Sequence, residues 1–319
     1  MERSKDKLLI VGPSIRCGLG GVTVHVARLI SYLENNGIPF YFIDYKYRGV
    51  LEQLRIIAKY EIVHFHISNP VYQFFLVSYS RLFGTKVVMT LHGNYGRFGS
   101  FKNYLVRCSV KLSTIPIAIN QASYDSCRKI NSNTRFVPAF IPPQKEESLP
   151  YELEILLNKQ KEKGIKIVST NASTFSEDKY GQEIYGIGFL IEYFKDRHDF
   201  MLVVSDPSGK NSRRYKDAQS NSILFIDYPH SFFEILKKSD YFVRNTSTDG
   251  DALSVKEALY LRVPAICTDV VDRPIGVRLF RYCDKVSFEK SLCDKQEIDC
   301  AVINGAPEIV NIYNDLSEE

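Results

Sequence analysis

Short apolar runs alternate with stretches of helical periodicity along the chain. Leu8–Val11 is the first such run, and Val22, Val26, Leu29, Ile30 and Leu33 follow at the three- and four-residue spacing of a one-sided helix, which Asn36-Gly37 closes. Strands are predicted at Phe40–Ile43, Ile62–His66, Val87–Leu91 and Ile115–Ile119, with helices near 50–59, 70–83, 101–112 and 122–130. This alternation implies a parallel sheet covered on both faces, and ligands of such sheets sit at the carboxyl ends of the strands.

The pattern breaks at Val137-Pro138 through Ile141-Pro142-Pro143 and the polar run Gln144–Ser148. Prolines remove strand donors and stiffen the chain, so a linker is expected here. The alternation then restarts, with strands at Ile165–Ser169, Phe200–Val204, Ile223–Ile226, Tyr241–Val243 and Ala265–Cys267, and helices near 151–162, 184–195, 230–238 and from Ser254. Ile309, Val310, Tyr313 and Leu316 mark a closing helix. A chain of 319 residues is too long for one ordinary core. The expected fold class is therefore α/β, with two doubly wound Rossmann-like domains over residues 1–143 and 144–319, facing across a cleft that takes the substrates.

Composition narrows the class. A hydrophobic content of 45% with 13% aromatics excludes a disordered chain. Seven cysteines, at 17, 108, 127, 267, 283, 293 and 300, form no Cys-x-x-Cys pair, which argues for a reducing compartment and against a zinc or disulfide frame. The opening MERSKDKLLIVG reads as a first strand rather than a signal peptide, and no apolar run approaches the ~18 residues of a membrane span. Residues 1–150 carry 19 Lys+Arg against 9 Asp+Glu, whereas the remainder carries 22 against 28. A basic first half suits an anionic surface or partner; with no nucleic-acid motif, the membrane surface is favoured.

Candidate chemistry concentrates between Asp240 and Asp269. Here a strand leads into Arg244, Asn245, Thr246, Ser247, Thr248, Asp249, Gly250 and Asp251, then a helix. Ser254-Val255-Lys256-Glu257 reads as a capping box that starts the helix at Ser254. A helix N-terminus just after a strand offers free N–H groups to a phosphate. Asp249 and Glu257, eight positions apart, would accept hydrogen bonds from hydroxyls on either side of that phosphate; the plain alternative is a turn former and a capping acid. Near the N-terminus, the loop Gly12–Gly21 lacks the spacing of a dinucleotide fingerprint, although Arg16, Gly20 and Gly21 are candidates for an anionic ligand. His64 and His66 share one strand face, but no metal is expected there. The loop Asn94–Gly99 is read as flexible and suited to an acceptor, and Phe101–Lys111 as a helix with its apolar side in the core and its charges at an interface.

The pair Asp249…Glu257, followed by Ala258-Leu259, Val263-Pro264-Ala265-Ile266 and Thr268-Asp269-Val270, resembles the donor-site signature of retaining glycosyltransferase family 4, bacterial surface-polysaccharide type, with the GT-B fold. The resemblance covers the chain at the level of architecture and is strong only over 241–269; it implies an acceptor-side domain over 1–143, a nucleotide-sugar-binding domain over 144–319, and a closing helix that packs back on the first domain. It implies that Glu257 holds the nucleotide ribose and Asp249 the transferred sugar. It places Gly20, Gly21, Ser254 and Val255 at the donor, and His92 of Thr90-Leu91-His92-Gly93 beside the sugar. Two departures stand out. Asp249-Gly250-Asp251 replaces the usual Glu-Gly-Phe, and Tyr185 occupies the place of the lysine before Gly186, with no arginine at the preceding strand end. Arg244 and, after it, Lys179 are the substitute cations.

The implied activity is metal-independent transfer, with retention, from a nucleotide-diphospho-sugar (a UDP-sugar by preference) to a glycan or lipid-linked oligosaccharide in O-antigen or capsule assembly. The sugar nucleotide is a substrate, so no cofactor is expected. Neither is a nucleic-acid partner. The expected location is cytoplasmic, with peripheral contact at the anionic inner face of the cell membrane. A non-catalytic sugar-nucleotide-binding subunit and a GT-B sugar-nucleotide 2-epimerase remain as alternatives.

Overall fold

The computed structural model describes residues 6–14, 20–172, 174–178, 180–249, 252–294 and 302–318. The chain divides into two compact units, Met1–Lys145 with Ile303–Glu319, and Glu146–Val302. The break falls after Lys145, two residues beyond the expected boundary, and the final segment belongs to the first unit, as the resemblance implies for the closing helix.

In the first unit, six strands form one parallel sheet: β1 (Asp6–Gly12), β2 (Tyr41–Asp44), β3 (Tyr60–Phe65), β4 (Lys86–Leu91), β5 (Ile115–Ala118) and β6 (Arg135–Phe136), in the order β2-β1-β3-β4-β5-β6. The crossovers are α1 (Gly21–Asn35), α2 (Val50–Ile57), α3 (Pro70–Leu82), α4 (Ser100–Leu112) and α5 (Gln121–Arg128). Helix α3 starts where Asn69 accepts hydrogen bonds from the Val71 and Tyr72 amides with Pro70 at its first position, and α5 where Asn120 accepts from Ser123. Two cores follow from burial on both faces. Leu8, Ile10, Ile62 and Val88 pack with Leu29 and Leu33 on one side, while Leu9, Val11, Val63 and Met89 pack with Leu76 and Val106 on the other. The last helix, α12 (Ala306–Glu318), buries Ile309, Ile312, Tyr313 and Leu316 in the first of these cores.

The second unit repeats the plan with β7 (Lys166–Asn171), β8 (Phe200–Ser205), β9 (Ile223–Ile226), β10 (Tyr241–Arg244), β11 (Ala265–Thr268) and β12 (Arg278–Phe280), all parallel, in the order β12-β11-β10-β7-β8-β9. Its helices are α6 (Tyr151–Glu162), α7 (Ile187–Phe194), α8 (Lys210–Arg214), α9 (Phe232–Lys238), α10 (Leu253–Tyr260) and α11 (Lys285–Cys293). The two doubly wound α/β units match the predicted class. Each sheet reverses strand order once, between β1 and β3 in the first and between β7 and β10 in the second. Such a switch point opens a crevice at the carboxyl ends of the strands.

One predicted boundary fails. Helix α10 begins at Leu253, with Ala252 as an extended N-cap and no side-chain cap bond. Ser254 is therefore already inside the helix, and Glu257 lies too far along to reach back to the cap. The capping box does not form, and Glu257 is instead a buried carboxylate. Among the described residues no helix is long and apolar enough to cross a membrane, and Cys108, Cys127, Cys267, Cys283 and Cys293 are unpaired.

Candidate functional site

The second unit's switch point holds a buried charge cluster. Arg244 ends β10, Asn171 ends β7, Asp249 lies in the loop after β10, and Arg273 in the loop after β11. Arg244 grips Asp249 with two hydrogen bonds, Nε to Oδ2 and Nη2 to Oδ1, both 3.1 Å. Arg273 Nη1 donates to the same Oδ2 at 2.7 Å. Side-chain exposure is only 11%, 6% and 3% for Arg244, Asp249 and Arg273, so all three charges are largely out of water. Burial pushes the Asp249 carboxyl up, but the Arg244 charge and hydrogen bonds, with those of Arg273, outweigh it and hold the group below its usual range. Burial likewise opposes the Arg244 charge, and Asp249 more than restores it.

Local structure fixes these side chains. Arg244 Nη1 also donates to the Asn171 carbonyl and side-chain oxygens, both at 3.2 Å, and its guanidinium lies 4.9 Å over the Tyr185 ring. The tyrosine at the family's lysine position is thus a platform for a cation delivered from β10. Arg273 Nε donates to the Thr268 carbonyl at 3.1 Å. Its Nη2 is buried without a hydrogen-bond partner among the described residues. Among the described residues two guanidinium groups share this one carboxylate, so the three side chains together carry one net positive charge.

Beside the cluster, Gly186 has φ +49° as the N-cap of α7. A Cβ there would lie 2.2 Å from Asn245 Nδ2, whose amide donates to the Gly186 carbonyl at 2.9 Å. Glycine is required on both counts. The first amides of α7 are occupied, since Glu183 accepts from Ile187 N at 3.0 Å and Gly188 N at 3.1 Å. These amides are therefore already satisfied by Glu183 within the chain.

The other predicted residues fall as follows. Ser254, Val255 and Glu257 are buried in α10, and the Val255 amide is used by the Ala252 carbonyl at 3.2 Å. Lys179 and Arg16 lie outside the described residues. In the first unit, Gly20 is the extended N-cap of α1. Among the described residues, a Cβ on Gly20 would meet only Thr23 Oγ1 at 4.0 Å, and one on Gly21 nothing within 4 Å.

His92 follows β4 and joins a cluster at the first unit's switch point. His66 Nδ1 and His92 Nε2 are hydrogen-bonded at 2.8 Å, and the His25 ring centroid lies 5.3 Å from that of His66 and 5.0 Å from that of His92. His25 Nδ1 donates to the Ala139 carbonyl at 2.8 Å. His64, whose ring is 4.0 Å from that of His66, has both nitrogens engaged, with Tyr313 Oη at 2.5 Å and Thr90 Oγ1 at 2.7 Å. Burial lowers the basicity of His64, His66 and His92 well below normal, so these rings are neutral at pH 7. The loop after His92 is tied down: Asn103 accepts from Phe98 N and donates to the Gly96 carbonyl, each at 3.0 Å. The loop is thus more structured than the expected flexible one.

Arg273 lies in the loop 271–277, which the sequence places on the nucleotide side without assigning it a contact, and His25 was not anticipated. Arg273 sits 24 positions from Asp249, so no local spacing links them. His25 is one residue of a helical repeat, and only the fold brings it to the two strand-end histidines.

No protein-family model matches the sequence, and neither does any curated protein. Solved structures do resemble it. Anabaena Alr3699/HepE in complex with UDP-glucose is 13% identical, with TM-score 0.66 and 98% of each chain covered. A Listeria monocytogenes protein described as a UDP-N-acetylglucosamine 2-epimerase is 13% identical, with TM-score 0.63 over 99% of this chain and 98% of that one. The catalytic domain of Arabidopsis thaliana starch synthase IV, bound to ADP and acarbose, is 12% identical, with TM-score 0.60 over 99% of this chain and all of that one. The chain has the GT-B fold.

Proposed function

We propose that this protein is a glycosyltransferase that uses a nucleotide-diphospho-sugar, with the diphosphate held at the Arg244–Asp249–Arg273 cluster. The observation that carries this reading is the pair of buried guanidinium groups sharing one carboxylate at a switch point, with Arg273 Nη2 still unpartnered among the described residues. An anionic ligand completes that set. Preorganised cations facing a departing diphosphate stabilise the charge that develops as the sugar leaves.

The remaining roles follow the family resemblance. Glu257 accepts hydrogen bonds from the nucleotide ribose. Asp249 orients the two arginines and borders the sugar, which His92 meets as a neutral imidazole. Gly20, Gly21 and Ser254 let backbone amides approach the donor, and Val255 forms the adjoining wall. Lys179 is a second cation for the diphosphate. The reaction breaks the bond from the anomeric carbon to the diphosphate oxygen and forms one to the acceptor oxygen on the same face; the acceptor proton passes to the departing phosphate oxygen. Uridine is the favoured base, because UDP-glucose or UDP accompanies the similar fold of Anabaena HepE.

The acceptor is a glycan or lipid-linked oligosaccharide at the inner face of a bacterial membrane, in surface-polysaccharide assembly. Phe75 on α3 and Phe101 and Tyr104 on α4 are exposed, beside exposed Lys102, Arg107 and Lys111, a mixture suited to an anionic lipid surface.

A thermal-shift panel of UDP, GDP and ADP with their common sugar conjugates tests the donor, since a ligand of the folded state raises its stability. A shift by one nucleotide, larger with one conjugate, is expected; no shift by any of them contradicts the reading. Product analysis with that conjugate then separates the alternatives. Transfer to an acceptor identifies the transferase, an epimeric sugar nucleotide the 2-epimerase, and unchanged conjugate the binding subunit.

A further inference from the structure

We propose that His25, His66 and His92 form a three-imidazole site for a divalent transition-metal ion of the zinc class. One ring nitrogen from each residue lies within 4.8 Å of the other two. Zinc takes imidazole nitrogens at about 2.0–2.1 Å in tetrahedral geometry, which puts ligand nitrogens roughly 3.3 Å apart. Ring rotations then have to bring the nitrogens up to about 1.5 Å closer. The three residues stand on separate rigid elements: His25 on α1, His66 immediately after β3, and His92 immediately after β4.

The hydrogen bonds set up the donor atoms. A carbonyl can only accept, so the bond to Ala139 places the His25 proton on Nδ1 and the lone pair on Nε2. A backbone carbonyl on the far nitrogen is the usual outer partner of a metal-bound histidine. His66 is fully buried, and its Nε2 has no hydrogen-bond partner among the described residues. Whichever way the proton lies between His66 Nδ1 and His92 Nε2, a polar atom at His66 Nε2 stays unsatisfied. A metal bound at His66 Nε2 relieves this, and His66 Nδ1–H then donates to His92 Nε2. Neutral imidazoles without a carboxylate favour zinc, copper or nickel over magnesium or calcium. His64 is not a fourth ligand, because Tyr313 and Thr90 hold both its nitrogens.

His92 is the least buried of the three, so the fourth coordination position opens on its side. Arg97 is near enough to lower the basicity of His92. A cation placed beside that guanidinium favours an anionic fourth ligand, such as hydroxide or a phosphate oxygen. With the ion bound, its open position, rather than the bare His92 ring, meets whatever enters this unit. The inference stands apart from the diphosphate assignment, which uses the second unit, but shares His92 with the sugar contact proposed above.

The test is a titration of the chelator-treated full chain with Zn²⁺ by calorimetry and with Co²⁺ by visible absorption. One equivalent should bind, with the intense d–d bands of four-coordinate cobalt. His66→Gln and His25→Gln should each weaken binding at least tenfold, while His230→Gln, in the second unit, should leave it unchanged. His66→Cys keeps a ligand, and should retain cobalt and add a thiolate charge-transfer band; it reads the site even if His66→Gln fails to fold. Absence of four-coordinate cobalt bands in the wild type would overturn the proposal, as would equal affinity in folded His66→Gln protein.

Discussion

The two sheets reverse strand order at equivalent places, yet the reversals are furnished with opposite chemistry. Between β7 and β10 the chain buries three charges, two positive and one negative, tied to one another and to strand-end carbonyls. Between β1 and β3 it buries imidazoles, and burial keeps His64 and His66 there neutral, as it does His92 at the end of β4. The backbone plan decides where a ligand can sit; the residues at the strand ends decide which ligand is welcome. A fixed positive excess recruits an anion, whereas a neutral nitrogen-rich pocket recruits a metal ion or an uncharged polar group.

The largest expected effect removes the charge balance of the second unit. Asp249→Ala leaves two buried guanidinium groups facing each other, and losing one partner of a buried ion pair costs about 3–5 kcal/mol. Denaturant unfolding should show that loss, and a change under about 1 kcal/mol would mean that water already screens the cluster. Substitution of Glu257 by Ala should weaken nucleotide binding about tenfold or more, because hydrogen bonds to charged groups contribute roughly 1.5–3 kcal/mol. Unchanged affinity in the folded variant would return Glu257 to a purely structural role. Gly186→Ala forces a left-handed backbone and a clash with Asn245, and should destabilise by about 1–3 kcal/mol in thermal unfolding.

The smallest effect is on pH dependence. The folded-state pKa of Asp249 lies below its usual range, so its stabilisation is fully present above the unfolded carboxyl value of about 3.9 and is lost as pH falls through the folded value. The stability difference between wild type and Asp249→Asn should therefore be level from pH 7 to about pH 4.5 and shrink below about pH 4. A difference already shrinking near pH 6 would assign the titration to other groups.

Much of this contrast was legible in sequence, and the gaps have physical causes. The apolar runs located ten of the strands because buried parallel strands are continuously hydrophobic. The two that were missed are edge strands of two and three residues. Both residues of β6 are exposed, and in β12 Arg278 is buried while Leu279 is half exposed, the reverse of what hydropathy suggests. Helix α8 has five residues, all of them polar or charged, too short to show a period. Arg244 and Asp249 are neighbours in sequence, so their pairing could be guessed. Arg273 reaches the same carboxylate only because β10 and β11 are adjacent. The capping box misled because Ser254 and Glu257 have the right spacing, but the helix starts one residue earlier.

The claim that the second switch point is an anion site is tested most directly by titrating UDP and its sugar conjugates into wild type and Arg273→Gln by calorimetry at fixed salt. Removing the arginine with the unpartnered nitrogen leaves Arg244 and Asp249 as a balanced pair, so the fold should persist while affinity falls about tenfold or more. Equal affinity in the two proteins would place the diphosphate elsewhere and leave the buried arginines a purely structural role.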